Sequence, residues 1–137
     1  MKDKVFLDTA YAIALSVETD AFHEKALELA NEMETRRVQM ITTRAILLEI
    51  GNALSNKRLR TGAVALLESL EIDQSVTIIS ISEELYQSAL DLFRTRMDKD
   101  WGLVDCISFV VMKQFGVAEA LTTDLHFQQA GYAPLLR

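Results

Sequence analysis

Short apolar runs rich in β-branched residues alternate with longer helical stretches from one end of the chain to the other. That alternation is the pattern of a parallel sheet with helices on both of its faces. Lys4 to Leu7 reads as the first strand, followed by helices over Thr9 to Val17 and Phe22 to Arg37. In the second of these, Ala26, Leu29, Ala30 and Met33 recur at helical spacing. Val38 to Ile41 reads as a strand, and Thr42-Thr43 offers a hydroxyl cap for a helix over Arg44 to Ser55. A helix over Thr61 to Leu70 leads to a strand at Val76 to Ser80. Ser82 then starts a helix that runs to about Met97, and Asp98 to Gly102 forms a loop. The next helix begins at Leu103 or Val104, ends at Phe115 and is stopped by Gly116. Val117 to Leu121 is a strand, Leu125 to Ala130 a short helix, and Pro134 lies near a sheet edge. With 137 residues, 5 Gly and 1 Pro, the chain suits one domain over 1-137 with little room for long irregular loops.

Cys106 is the single cysteine and lies in an apolar helical run, so it reads as a small buried hydrophobe. An internal disulfide and a cysteine-based metal site are both excluded. No signal peptide is visible, and no apolar run approaches the ~20 residues that span a bilayer, so a cytoplasmic protein without a membrane partner is expected. The net charge of -6 disfavours an extended basic groove for nucleic acid. Acidity does not exclude such a substrate when several carboxylates serve as metal ligands, because the ion then becomes the dominant local charge.

Four acids stand out. Asp8 follows the apolar run Val5-Phe6-Leu7, and Asp124 follows Ala120-Leu121-Thr122-Thr123, so both fall at the ends of strands. Ligands in open parallel sheets bind just outside those ends. Either residue could equally be an N-cap. Glu49 is the only acid in a helix that Leu47 and Leu48 make apolar around much of its circumference. A solvated face is its ordinary explanation; at a buried edge it would need a partner charge or a cation. Asp105 opens a strongly apolar helix, where the helix dipole alone would favour it. Ser108, three residues on, is placed to orient the Asp105 carboxylate or a water beside it. Trp101 is expected to pack over the start of this helix rather than stack on a base, and His126 to be exposed. Carboxylates brought together from such distant segments repel one another unless a divalent cation held by oxygen ligands lies between them.

The four positions together resemble a known family. Asp8-Thr9 after the first strand, Glu49 in a later helix, Trp-Gly-Leu-x-Asp-Cys-x-Ser-Phe around Asp105 and Thr-Thr-Asp-x-x-Phe at Asp124 are similar to a PIN domain. More narrowly, the chain resembles the toxin ribonucleases of VapBC-type toxin–antitoxin pairs. The resemblance covers essentially the whole chain and is most specific around Asp105. It implies a three-layer α/β/α sandwich with a central parallel sheet. It also implies Mg²⁺ or Mn²⁺ held by Asp8, Glu49, Asp105 and Asp124, with Thr9, Ser108 and Thr123 in support. The implied activity is hydrolysis of RNA by water, leaving a 5′-phosphate and a 3′-hydroxyl. Lys57, Arg58 and Arg60, with Arg94, Arg96 and Lys99, are the basic residues expected to contact the substrate, though surface charge explains each of them as well.

The implied partners are an RNA substrate, a small cognate antitoxin and a second copy of the chain in a homodimer. A cationic side chain of the antitoxin, most effectively a bidentate arginine, could satisfy the acidic pocket in place of metal. Phe22, Leu27 and the Leu47-Leu48 pair offer apolar surface for an amphipathic partner helix, and Leu48, off the main stripe of its helix, is the residue expected at the contact. Two other readings stand beside it. A receiver-like Mg²⁺-binding signalling domain wants an acidic pair at one strand end and a lysine at a late one, and Thr122-Thr123-Asp124 supplies no lysine. A non-catalytic α/β protein-interaction module stays open at the level of sequence, and its discriminator is whether alanine at Asp8 or Asp105 abolishes the cellular effect while leaving the fold intact.

Overall fold

The computed structural model describes residues 1–137. In chain order the elements are β1 (Lys4–Leu7), α1 (Thr9–Ser16), α2 (His23–Arg36), β2 (Gln39–Thr43), α3 (Arg44–Ala53), α4 (Arg60–Ile72), β3 (Val76–Ile79), α5 (Glu83–Thr95), α6 (Leu103–Gln114), β4 (Glu119–Leu121), α7 (Leu125–Gln129) and β5 (Ala133–Pro134). The strands form one sheet in the order β3-β2-β1-β4-β5. Every neighbouring pair is parallel, with Phe6 opposite both Ile41 of β2 and Ala120 of β4. Helices cover both faces, so the architecture is the expected α/β/α sandwich. No helix is long and apolar enough to cross a membrane.

The strand order matters for the site. From β1 the chain builds outward through β2 to β3, then returns across the sheet to place β4 on the other side of β1. Connections leaving β1 and β4 therefore diverge and open a crevice at the carboxyl ends of these two strands, the usual ligand position in such sheets. The sheet beneath is apolar and rigid: Val5, Phe6, Leu7, Ala120 and Leu121 are all buried, and Phe127 of α7 packs on Phe6 with ring centroids 6.1 Å apart. Burying each such large side chain contributes roughly 1.5–3 kcal/mol, enough in sum to hold polar groups at the strand ends where solvation alone would not leave them.

Local chemistry sets the boundaries. Thr43 Oγ1 accepts the Ile46 amide at 3.3 Å and so caps α3, while Ser82 Oγ accepts the Leu85 amide at 3.0 Å and caps α5. Two helices close through left-handed residues. Gly116 (φ 67°) ends α6, with Val117 N–H donating to Met112 O at 2.9 Å. Arg37 (φ 55°) ends α2 in the same way, with Val38 N–H donating to Met33 O at 3.0 Å. β4 is shorter than Val117 to Leu121 because the Val117 amide is spent on that helix closure. β2 is longer than Val38 to Ile41, since Thr42 and Thr43 pair with Ile78 and Ile79 of β3. Pro134 lies at the sheet edge as expected, but the strand β5 that carries it is not read from the sequence. A two-residue strand leaves no alternation to detect, and an edge is where proline is tolerated.

Candidate active site

Four acids from four segments line one open cleft of about 770 Å³ at the β1/β4 crevice: Asp8, Glu49, Asp105 and Asp124. Thr9, Asn52 and Thr123 share its wall. Asp8 stands at the N-cap position of α1, yet its side chain makes no capping hydrogen bond. It is 8 % exposed and accepts the Thr122 hydroxyl at 2.7 Å. Burial pushes its carboxyl up from 3.8 to about 6; the Thr122 hydroxyl and the Thr9 amide oppose the rise, and the nearby Glu49 and Asp105 charges add to it. The fold thus spends stability to keep this group where it is.

The other three acids each have one oxygen engaged and one without a protein donor. Glu49 Oε1 accepts the Thr9 hydroxyl at 2.8 Å, which ties α3 to the start of α1. Asp105 Oδ2 accepts the Gly102 amide at 3.0 Å, half of a capping box that glycine cannot return. Asp124 Oδ1 caps α7 through the His126 amide at 2.8 Å. Of the two capping candidates, Asp124 therefore caps its helix and Asp8 does not, while Asp105 also bonds a helix-start amide; Asp105 and Asp124 each use only one of their two oxygens for this.

His126 is half-buried rather than exposed as expected. Its Nδ1 lies 3.1 Å from Asp105 Oδ2 and 3.5 Å from Asp124 Oδ1. Carboxylates only accept, so these contacts require a proton on Nδ1. Asp105, Asp124 and His126 form the tightest group, with one ligand atom from each lying within 4.8 Å of the others. Asp8 and Glu49 complete the rim from the opposite side.

Two threonines carry more of the site than the sequence suggests. Thr122 is fully buried; besides donating to Asp8, its hydroxyl accepts the Asp124 amide at 3.0 Å and so joins the two strand-end acids. Thr42, also fully buried, donates to the Leu7 carbonyl at 2.8 Å, just before Asp8. Thr-Thr pairs at two strand ends were the available signal. Both members of the first pair are fully buried, Thr42 bonded to β1 and Thr43 capping α3. In the second pair it is Thr122 that bonds the acid, while Thr123 lines the cleft.

Ser108 does not orient Asp105. It is fully buried, its Oγ has no hydrogen-bond partner, and it is absent from the cleft wall. Three residues along this helix turn it onto the packed face of α6. Cys106 is buried, as expected. Trp101 packs edge-on against Phe109 at the start of α6, centroids 5.0 Å apart, and donates its indole N–H to Gln129 Oε1 at 3.0 Å.

None of the six basic side chains lines the acidic cleft. Arg60 donates to the Ser55 carbonyl at 2.9 and 2.6 Å, and Arg94 pairs with Asp91 at 2.7 Å. Arg96 forms two bonds to Asp98 at 3.0 and 3.1 Å, and Lys99 lies 3.9 Å from the same carboxylate. Lys57 and Arg58 are exposed between α3 and α4.

The donor set suits a hard divalent cation. It consists of carboxylate oxygens with free lone pairs, mutually repulsive and partly desolvated, with no arginine or lysine among them to neutralise the charge. Such a set could hold a divalent cation and, through it, a phosphate group.

Comparison with known proteins agrees with this geometry. The family model described as PIN domain matches residues 5–131. The 23S rRNA-specific endonuclease VapC20 of Mycobacterium tuberculosis, found in two strains, is 25 % identical over 128 residues, covering 93 % of this chain and 95 % of VapC20. The crystal structure of VapC20, a toxin that cleaves the sarcin–ricin loop, superposes with a TM-score of 0.83 at 24 % identity, covering 94 % of this chain and 96 % of that one.

Proposed function

The chain belongs to the PIN domain family, and from that premise we propose that it is a metal-dependent endoribonuclease acting as the toxin of a toxin–antitoxin pair. The observation that carries the reading is Asp8, buried at the end of β1 with its carboxyl raised to about 6 and three further acids around the same cleft. Folding alone gives no reason to bury an acid beside other acids. Asp8, Glu49, Asp105 and Asp124 would hold Mg²⁺ or Mn²⁺ through their free oxygens. A divalent cation bound there supplies Lewis acidity toward water and toward a phosphodiester.

The chain's own groups do the positioning. Thr122 fixes the rotamer of Asp8 and, through the Asp124 amide, the spacing between the two strand-end acids. Thr9 orients Glu49 across the mouth of the cleft. His126, hydrogen-bonded through Nδ1 to Asp105 and 3.5 Å from Asp124, stands between these two carboxylates and offsets part of their repulsion. The activity named for VapC20 makes ribosomal RNA the first substrate to try.

The test is cleavage of large-subunit ribosomal RNA and of total RNA with Mg²⁺, with Mn²⁺ and with EDTA, by the wild type and by Asp8→Asn. The expected result is metal-dependent cleavage by the wild type alone, leaving 5′-phosphate and 3′-hydroxyl ends. Cleavage that persists in EDTA, or that leaves mainly 2′,3′-cyclic phosphates, would overturn the reading.

Restraint of the enzyme falls to a cognate antitoxin. Leu48 is 65 % exposed on α3 while its neighbour Leu47 is buried, which makes it available to an amphipathic partner helix or a second copy of the chain.

A further inference from the structure

Behind the acidic cleft, α6, α7 and the end of α5 enclose a second cavity of about 290 Å³. Its wall combines Arg96, Lys113 and Tyr132 with Trp101, Phe109, Gln129 and Ala130. Nothing in the proposed chemistry uses it. We propose that this cavity is a nucleobase subsite, receiving an unpaired base of the RNA strand next to the cleaved bond. The proposal rests on the endoribonuclease reading for its biological substrate, but not for the binding itself.

Composition and position both favour a base. Single-stranded RNA is recognised by stacking on aromatic rings and on arginine planes, with polar groups at the base edge. Arg96 lies over the Trp101 ring, 4.9 Å from its centroid, and pairs with Asp98 through two N–H groups at its edge. Edge-on pairing leaves the second planar face of the guanidinium for a base. Tyr132 forms another aromatic wall, its hydroxyl donating to the Phe109 carbonyl at 3.2 Å. The Gln129 carbonyl takes the Trp101 indole N–H, leaving the Gln129 amide group as a donor for a base edge. Lys113 is exposed at the rim, makes no ion pair and so is available to a phosphate.

The cavity is also within reach of the acids. Phe109 is one helical turn beyond Asp105 on α6, and Gln129 ends the short helix that Asp124 begins. Either path spans roughly 6–8 Å, the reach of about one nucleotide.

Trp101 is the only tryptophan, so its indole N–H resonance reports on this cavity alone. Titration with the four nucleoside 5′-monophosphates, with ribose 5-phosphate and with N-acetyltyrosinamide is followed at that resonance in metal-free protein. At least one nucleotide should shift it saturably, while ribose 5-phosphate and the tyrosine amide should not. Ala130→Leu, which fills the cavity, should abolish the shift, and Lys113→Glu, on the exposed rim, should weaken it at least fivefold without changing the melting temperature. Absence of any saturable shift, or its survival in both variants, overturns the proposal. An equal response to the tyrosine amide overturns it in favour of a peptide side chain.

In cleavage assays, an abasic site at one position beside the cut should raise KM by roughly fivefold to a hundredfold, and Ala130→Leu should erase that difference. A nucleotide-induced shift in a protein that cuts no RNA would leave the subsite standing and remove the nuclease reading. Cleavage with no abasic penalty and no shift would do the reverse.

Discussion

Burying Asp8 sets stability against chemistry at a single residue, and the sign of the effect is testable. In the unfolded chain this carboxyl titrates near 3.8, in the folded protein at about 6. Below pH 3.8 both states are protonated and burial of the charge costs nothing. Between the two values the unfolded chain ionises first, so stability falls as pH rises, and above about 6 the full cost remains. A rise from 3.8 to about 6 corresponds to roughly 3 kcal/mol. Asp8→Asn should therefore stabilise the metal-free protein by up to about 3 kcal/mol at pH 7 and scarcely at all at pH 4, while abolishing cleavage. Urea unfolding at the two pH values checks this, and an equal effect at both would mean that burial of the charge is not the cause.

Thr122 acts on the same carboxylate with the opposite sign. Thr122→Val removes a hydrogen bond that holds the Asp8 carboxyl down and leaves the Asp124 amide without its acceptor. Stability should drop by about 1–3 kcal/mol, and the acid limb of the rate–pH profile should move to higher pH. Ser108→Ala should behave differently again. Its hydroxyl is buried with no partner, so its removal should gain about 1 kcal/mol in thermal denaturation and leave cleavage unaltered. A large loss of activity would restore to Ser108 the orienting role that its spacing from Asp105 suggests.

At the scale of elements, the helix ends show where local rules held and where they were broken. Thr43, Ser82 and Gly116 do what their residue types lead one to expect. Arg37 does not: it occupies the left-handed region at the end of α2, where a side chain is strained. Arg37→Gly should raise stability by about 0.5–1 kcal/mol, the relief of that strain less the added freedom of glycine in the unfolded chain. The midpoint of urea unfolding measures it, and a decrease would show that the Arg36-Arg37 pair contributes more through surface charge than Arg37 loses to strain. The two-residue strand β5 escaped sequence reading for a related reason: hydrogen bonds to β4, rather than its own residue pattern, make it a strand.

For the whole molecule, a cation held in the acidic cleft would couple metal to folding. A ligand that binds only the native state stabilises it by about 2.7 kcal/mol at a hundred times its dissociation constant. Saturating Mg²⁺ should thus raise the melting temperature by several degrees, and EDTA should reverse the gain. No response to either Mg²⁺ or Mn²⁺ would count against the cleft as a cation site. The same scale decides assembly: Leu48→Glu should weaken association with an antitoxin or a second copy, seen by light scattering, without altering the fold.

The alternation of short apolar strands with amphipathic helices was enough to specify a parallel α/β sandwich, because periodicity of burial is written residue by residue. The four acids were legible too, since a carboxylate next to an apolar run is costly and draws notice wherever it occurs. What tertiary structure alone decided is which atoms meet. Thr122 rather than Thr123 holds Asp8 because the β1–β4 pairing ends at Leu7 and Leu121 and leaves Thr122 beside the Asp8 carboxylate, Ser108 turns inward because α6 packs on the sheet, and His126 reaches Asp105 only because α7 folds back beside α6. Such contacts join residues up to 114 positions apart in the chain, and no local pattern encodes a distance that the sheet order creates.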